Sequence, residues 1–452
     1  MTRQVWQWAE LDEIATVTAG NPAPQGEEFF AGGTHPFVRV QDLGRLGFAT
    51  RLTATADYVN DKASKSLRLF PKGSILFTKS GASLLLNQRA TLGRDMHVVS
   101  HIGVAVPGPL IVSEWLYYWL RTVDFADIAH GANMPSLPLS RVKKIKVPVP
   151  PLEEQIARVA EIEKQFSRLD EAVANLKRVK ANLKRYKAAV LKAAVEGRLV
   201  ETEAECARRE GRSYETGAQL LQRILESRRS QWQGKGKYKE PAAPDTTELP
   251  ELPEGWAWAS VVQVADVASG NTPAGVLEAV KGTGDVPWFK VGDMNHEENQ
   301  QVMRRADAWL STSEVKKLGL WQFPPNTVLF PKRGGAIATN KKRRLELPGC
   351  ADLNVMGITP VLEITSYLFT WFDGVNLGKL SDGSNVPQIN HKDIEPLLIP
   401  LPPLAEQHRI VAEVDRRLSL IHETKGQVDG NLQRAERLRQ SILSRAFSGT
   451  MQ

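Results

Sequence analysis

The 452-residue chain holds only two cysteines, Cys206 and Cys350. That is too few for a disulfide scaffold or a cysteine zinc site, and a reducing cytoplasm suits such a composition. No apolar run approaches the roughly 18 residues that a membrane helix needs. The opening Met1-Thr2-Arg3-Gln4-Val5-Trp6 lacks an apolar signal core, so neither secretion nor membrane insertion is expected. A dominant charge is missing too: 58 Lys+Arg against 51 Asp+Glu leaves +7, which permits a nucleic-acid partner without requiring one. With 42% hydrophobic and 24% charged residues the chain is neither disordered nor fibrous, and its length implies more than one core.

Catalytic motifs are equally scarce. There is no GxxxxGK[ST] loop to cradle phosphates and no GxGxxG after a strand. The double prolines follow Val149, Phe323 and Leu401, so the Asn/Asp-Pro-Pro-aromatic motif of an amino-methyltransferase is absent. Glu161-Ile162-Glu163-Lys164 has the look of a nuclease carboxylate–lysine fragment, but it sits in a long helical pattern, where it reads as a solvated face. The eight histidines show no metal-ligand spacing; His97 and His101 stand four apart in a β-like run without a third ligand. No catalytic residue and no metal are expected on this chain.

What is present is a duplication. Trp6-Gln7-Trp8 matches Trp256-Ala257-Trp258, and Gly20-Asn21-Pro22 matches Gly270-Asn271-Thr272-Pro273. Pro36 to Asp42 matches Pro287 to Asp293, and Phe70 to Gly81 matches Phe323 to Gly334. Asn133-Met134-Pro135 matches Asn385-Val386-Pro387. Val147-Pro148-Val149-Pro150-Pro151-Leu152-Glu153-Glu154-Gln155 matches Ile399-Pro400-Leu401-Pro402-Pro403-Leu404-Ala405-Glu406-Gln407. The offset drifts only from 250 to 253, so order and spacing are kept across two whole copies.

Each copy opens with a mixed segment, residues 1–150 and 251–402. Short β-like runs (Phe37–Val40, Ser74–Phe77, His97–Val106, Trp288–Val291, Val328–Phe330) alternate there with Gly/Pro/Asn punctuation and helical stretches such as Ser113–Arg121, a pattern that predicts an α+β domain. A long helix follows in each, over 151–199 and 403–452, with Pro151 or Pro403 in a first turn where no backbone donor is lost. A 4-3-4-3 apolar spacing runs through Val159, Ile162, Phe166, Leu169, Val173, Leu176, Leu183 and Val190, with Lys180 and Lys187 at the two polar places. The second helix repeats it with Val411, Val414, Leu418, Ile421, Lys425, Val428, Leu432, Ala435, Arg439 and Ile442. Sustained heptads are the coiled-coil signal. A rod of about 67 Å outruns the roughly 30 Å width of a small domain, so pairing the two helices is favoured over laying each back on its own domain. Heptads alone leave parallel and antiparallel pairing open. The four seam cations are expected to snorkel out over packed stems or to fix register. Gly197 and Gly449 are placed to end the helices. Residues 200–250 connect the copies, with a basic helix over Gln219–Trp232 and a polar linker over Gly234–Pro253.

Two similar domains on paired rods are suited to reading two short segments of a linear polymer, and duplex DNA is the natural one; a protein-binding coiled-coil adaptor is the competing class. Residues 251–402 carry 14 basic and 17 acidic side chains, yet six of the basic ones fall within 13 positions, from Lys332 to Arg344. Lys79 with Ser80, and Lys332 with Arg333, follow a strand-like run at matching positions beside a glycine. They read as phosphate contacts or as solvated turns. Lys341, Lys342, Arg343 and Arg344 follow Asn340 and suggest a DNA-facing hairpin, with Arg89 and Arg94, after Gln88, as nearest counterparts in the first copy. Gln88 and Asn340 are the amides suited to an adenine edge, or to a loop role without base contact.

The doubled Pro-Pro-Leu-x-Glu-Gln openings of the long helices, Leu252-Pro253-Glu254-Gly255-Trp256-Ala257-Trp258 at the start of the second copy and the Asn-x-Pro pairs give the whole chain a resemblance to the specificity (S) subunits of Type I restriction–modification systems. The resemblance implies an α+β fold of two tandem, pseudo-symmetric target-recognition domains joined by two long helices that form an antiparallel coiled coil. It implies a non-catalytic subunit that reads a bipartite double-stranded DNA target, the coiled coil setting the spacer. Two modification subunits carrying S-adenosylmethionine are the implied partners, with restriction/translocase subunits that use ATP and Mg; this chain itself would bind no cofactor.

Overall fold

A computed structural model describes residues 6–46, 50–131, 135–232, 234, 236–361 and 364–448. Asn133 and Met134 of the first Asn-x-Pro, and Gly449, lie outside the described residues. The chain divides into two compact units: residues 1–179 with 427–452, and residues 180–426.

Among the described residues, the first unit holds three sheets. A five-stranded one runs Ala15–Ala19, Ile102–Pro107, Ile75–Thr78, Arg89–Leu92 and Arg51–Leu52; a four-stranded one runs Asp57–Val59, His35–Val38, Met96–Val98 and Leu69–Phe70. Gln7–Glu10 pairs antiparallel with Lys146–Val149, which brings the start of the copy to the root of its long helix. Ile75–Thr78 is buried at all four positions, as an unbroken apolar run requires when both faces are covered. Phe37, Phe70, Phe77, Trp115 and Phe125 are fully buried.

The second unit repeats the plan strand for strand. Its five-stranded sheet runs Ala265–Ser269, Val355–Pro360, Val328–Pro331, Arg343–Leu345 and Val302–Met303, its four-stranded sheet Trp309–Leu310, Val286–Phe289, Gly349–Ala351 and Gln322–Phe323, and Ala257–Ser260 pairs with Leu398–Leu401. The α+β reading and the duplication are therefore seen in the topology.

The repeated Gly-Asn has a mechanical explanation. A Cβ on Gly20 would stand 2.3 Å from the carbonyls of Val98 and Val99, and one on Gly270 would meet those of Ala351 and Asp352 as closely. The next residue uses that approach. Asn21 donates to the Arg68 carbonyl and accepts from the Arg68 N–H, both at 2.9 Å; Asn271 does the same to Gly319 (3.4 Å) and Trp321 (3.3 Å). The Gln closing each helix-opening motif is likewise a backbone clamp. Gln155 is buried, accepts from Val112 N–H and donates to the carbonyls of Leu110 and Pro150, and Gln407 donates to that of Pro402.

The long helices span Leu152–Val195 and Leu404–Phe447, and each unit takes part of both. In the first unit Val159 and Ile162 share a core with Leu443, Ala446 and Phe447. Arg158 reaches Ala446 and Asp170 reaches Arg439, so rising numbers on one helix meet falling numbers on the other: the pairing is antiparallel. In the second unit Val190, Leu191 and Ala194 pack with Ile410 and Val414. The same stripe also packs on the sheets and on Trp115 or Trp256, so pairing and domain packing coexist where only the first was favoured. Gly197, at φ +66°, ends the first helix, with Arg198 N–H returning to the Ala193 carbonyl.

The basic helix read over Gln219–Trp232 is Gly217–Ser230, started by a capping box at Thr216/Gln219, with Leu220 and Ile224 buried in the second unit's core; a further helix, Glu203–Glu210, starts on the Thr202/Glu205 box. Two expectations need correction. His97–Val106 is two strands, because the chain breaks at Val99–His101. His97 is therefore buried between Ser64 and the Arg68 carbonyl, while His101 is exposed and bonded to Ser80. Of the seam cations, Lys180 and Lys425 are exposed and Lys187 pairs with Asp373 at 2.8 Å, but Arg439 does not snorkel. It is buried, paired with Asp170 and stacked over Phe166, because the neighbouring domain covers that part of the seam.

Candidate nucleic-acid interface

Asn87 and Asn340 adopt left-handed backbone (φ 50° and 54°) and close the short helices Ala82–Leu86 and Gly334–Thr339, a conformation asparagine tolerates. Their side chains serve the fold. Asn87 Oδ1 accepts from Phe125 N–H (3.2 Å) and Arg89 Nη2 (2.7 Å); Asn340 Oδ1 accepts from Leu377 N–H (2.8 Å) and Lys342 Nζ (3.2 Å).

The residue two places on is an internal cation in both copies. Arg89 is buried, donates to the Val123 carbonyl and lies 3.6 Å over the Phe125 ring. Lys342 is buried, donates to the carbonyls of Asp373 and Val375 and faces the Phe372 ring. Burial pulls Arg89 down to about 9, helped by the charge of Arg121, and Lys342 down to about 8. Arg89 and Lys342 are therefore interior, and Asn340 is half-buried with its amide oxygen engaged inside the fold. Within the basic run, the structure thus makes Lys342 the counterpart of Arg89.

The other sequence candidates lie at or near the surface. Arg94 and Arg333 are exposed, and Lys79, Gln88, Lys341 and Arg344 are half-buried. Ser80 Oγ is tied to His101 Nδ1 at 2.8 Å. Lys332 Nζ donates to Ser269 Oγ at 3.0 Å, and burial together with Arg333 lowers its affinity for a proton. Lys341 is held by Asn295. Arg344 acts electrostatically on Asp415, drawing its raised, burial-shifted carboxyl back down. Arg343 donates to the Lys342 carbonyl and is desolvated.

A more exposed set escaped the sequence reading. The segment clamped by Asn21 carries Lys62, Lys65, Arg68 and Lys72, all exposed. The corresponding segment clamped by Asn271 carries Lys316, Lys317 and Trp321, also exposed. Cations spaced along a rigidly held loop can follow a phosphate backbone, and an exposed indole offers a face for a base or sugar. The signal was the Gly-Asn pair, whose clamped partner lies about fifty residues downstream and is invisible without the fold.

Two sister α+β modules, each sharing a pair of antiparallel helices and each presenting a clamped cationic loop, define a duplicated recognition protein. The chain belongs to the Type I restriction modification DNA specificity domain family, which matches residues 4–185 and 253–428, and it is a specificity subunit carrying DNA-recognition domains. It is 25% identical over 348 residues to the EcoDI specificity subunit of Escherichia coli, covering 76% of this chain and 71% of that one. It is 24% identical over 468 residues to the E. coli EcoBI specificity subunit, covering 99% and 86%. Its fold resembles a chain from a structure of type I R-M complex assembly and conformational transition (TM-score 0.71, 17% identity, 99% and 98% covered). It also resembles the HsdS subunit of Thermoanaerobacter tengcongensis (0.54, 19%, 99% and 97%). No helix among the described residues is long and apolar enough to cross a membrane.

Proposed function

We propose that this chain performs no catalysis and supplies sequence recognition to a cytoplasmic complex. Each unit reads one half of a bipartite, asymmetric double-stranded DNA target, and the paired helices set the length of the unread spacer. Two modification subunits, carrying S-adenosylmethionine, dock on the chain and methylate adenine in the two half-sites. Restriction subunits that use ATP and Mg2+ join the same complex. Phosphate contacts from the clamped loops and from Lys79, Arg94, Lys332 and Arg333 fix register, and base-edge contacts specify the half-sites.

The observation that carries this reading is duplication with divergence. The two units share their strand orders, yet the clamped position held by Arg68 in the first loop is taken by Trp321 in the second. A single symmetric target would not need that difference. The test is to express the chain with its modification subunit in an unmethylated host and map methylated adenines by single-molecule sequencing. A split motif with unlike halves is expected, and transplanting loop 61–70 over 312–323 should alter one half only. A continuous motif, or both halves changing together, would overturn the reading.

A further inference from the structure

The sequence shows no metal-ligand spacing, but folding brings three donors together in the second unit. Asp293 is buried at the start of the short helix Val291–Asn295. Its carboxylate is fixed by two backbone donors, Lys290 N–H on Oδ2 (2.6 Å) and Asp307 N–H on Oδ1 (3.0 Å). His296, just after that helix, places Nε2 3.6 Å from Asp293 Oδ1 and 3.1 Å from Asp307 Oδ1. That nitrogen is shielded from solvent and makes no hydrogen bond among the described residues. All three donor atoms lie within 4.8 Å of one another.

These separations are those of ligands around a small cation. Zinc bonds of about 2.0–2.2 Å in a tetrahedron put ligand atoms about 3.3–3.6 Å apart. The exposed Asp307 side leaves room for a water as fourth ligand. Backbone donors hold the Asp293 carboxylate in place, as the outer partners of metal-ligating carboxylates do.

The sister unit supplies an independent argument from charge. There Asp42 is held identically, by Arg39 N–H (2.8 Å) and Ala56 N–H (3.1 Å). Its neighbour at the place of His296 is Arg45, a permanent cation 3.9 Å away, and Ala56 stands where the second unit has Asp307. The first unit therefore balances one carboxylate with one guanidinium. The second replaces the guanidinium with an imidazole and adds a carboxylate, leaving a deficit of two positive charges when the imidazole is neutral. Nearby cations are engaged elsewhere: Lys290 faces the Trp288 ring, Lys341 is on Asn295, and Arg343 leans on the Lys342 carbonyl.

We propose that Asp293, His296 and Asp307 form a divalent transition-metal site of the zinc type, peculiar to the second unit. The metal joins the Val291–Asn295 helix to the bend at Asp307 that leads into strand Trp309–Leu310, and so stiffens the surface next to Lys341. Nitrogen and carboxylate donors in this number select zinc or cobalt over calcium or magnesium.

The test uses the full chain in complex with its modification subunit, stripped with chelator and titrated with Zn2+ and Co2+. One equivalent bound per chain, a visible tetrahedral cobalt spectrum and a zinc-dependent rise in unfolding temperature are expected. His296→Arg and Asp307→Ala should each weaken zinc binding by at least about tenfold and remove the cobalt band, while His296→Arg keeps the metal-free unfolding temperature at or above that of the unaltered chain. Absence of a cobalt band in the unaltered chain, or full retention of metal in both variants, would overturn the site.

Discussion

Arg158 donates from Nη1 to the backbone carbonyl of Ala446 at 3.1 Å, joining the first turns of one long helix to the last turn of the other. The guanidinium is also 4.6 Å from the Trp6 ring and paired with Glu154 at 2.9 Å. It therefore satisfies a helix-terminal carbonyl that has no intrahelical partner among the described residues, and it fixes antiparallel register within the first unit. Arg158→Ala should destabilise that unit by about 1–3 kcal/mol, read as a lower denaturant midpoint with unchanged m value. Arg158→Lys should recover part of it, since a lysine cannot make both contacts as well.

Lys342 gives a pH signature. Its folded value of about 8 lies below the ordinary 10.5, so between those limits the unfolded chain binds a proton that the folded one does not. Stability then rises with pH across that window. The burial penalty on the charged amine is present in full below about pH 8 and is relieved as pH climbs to about 10.5. The gain is on the order of 3 kcal/mol. Lys342→Met should flatten the rise; the measurement is unfolding free energy against pH for both chains, and equal slopes would contradict the assignment.

The cationic loops are separable from the fold because Lys62, Lys65 and Arg68 are exposed. Changing all three to alanine should weaken DNA binding across sequences. The slope of log affinity against log salt should fall by up to about 2.7, at about 0.9 for each phosphate no longer neutralised. Lys332→Ala with Arg333→Ala should weaken binding and flatten the slope in the same sense. An unchanged slope in either variant removes that set from the interface.

Spacer length gives the last test. Adding one heptad to each long helix lengthens the paired segment by about 10.5 Å, close to three base pairs at about 3.4 Å each. The preferred spacer should grow by about that amount while both half-sites stay the same, as read by methylation mapping. A variant with an unaltered spacer would contradict the ruler.

Much of this was legible in the order of residues. The duplication, the long helices and the α+β character follow from local patterning, where apolar spacing and proline or glycine punctuation report backbone shape directly. Even the overlooked helix Glu203–Glu210 carried its signature in the Thr202/Glu205 capping box.

Side-chain fate was not legible in the same way. Lys341 and Lys342 are adjacent in sequence, yet one is half-buried against Asn295 and the other is sealed beneath the Val375 carbonyl. Which is which depends on the packing that brings Asn340 and Lys342 against the backbone of residues 373–377. Likewise Asp293 and His296 become neighbours of Asp307 only because the chain returns beside its own strand. The sequence by itself determined that two like modules and two heptad helices exist, because those properties are set by contacts a few residues long. Tertiary structure alone decided which cations face solvent, which way the helices pair and where three donors converge, because these rest on burial and on contacts between distant segments.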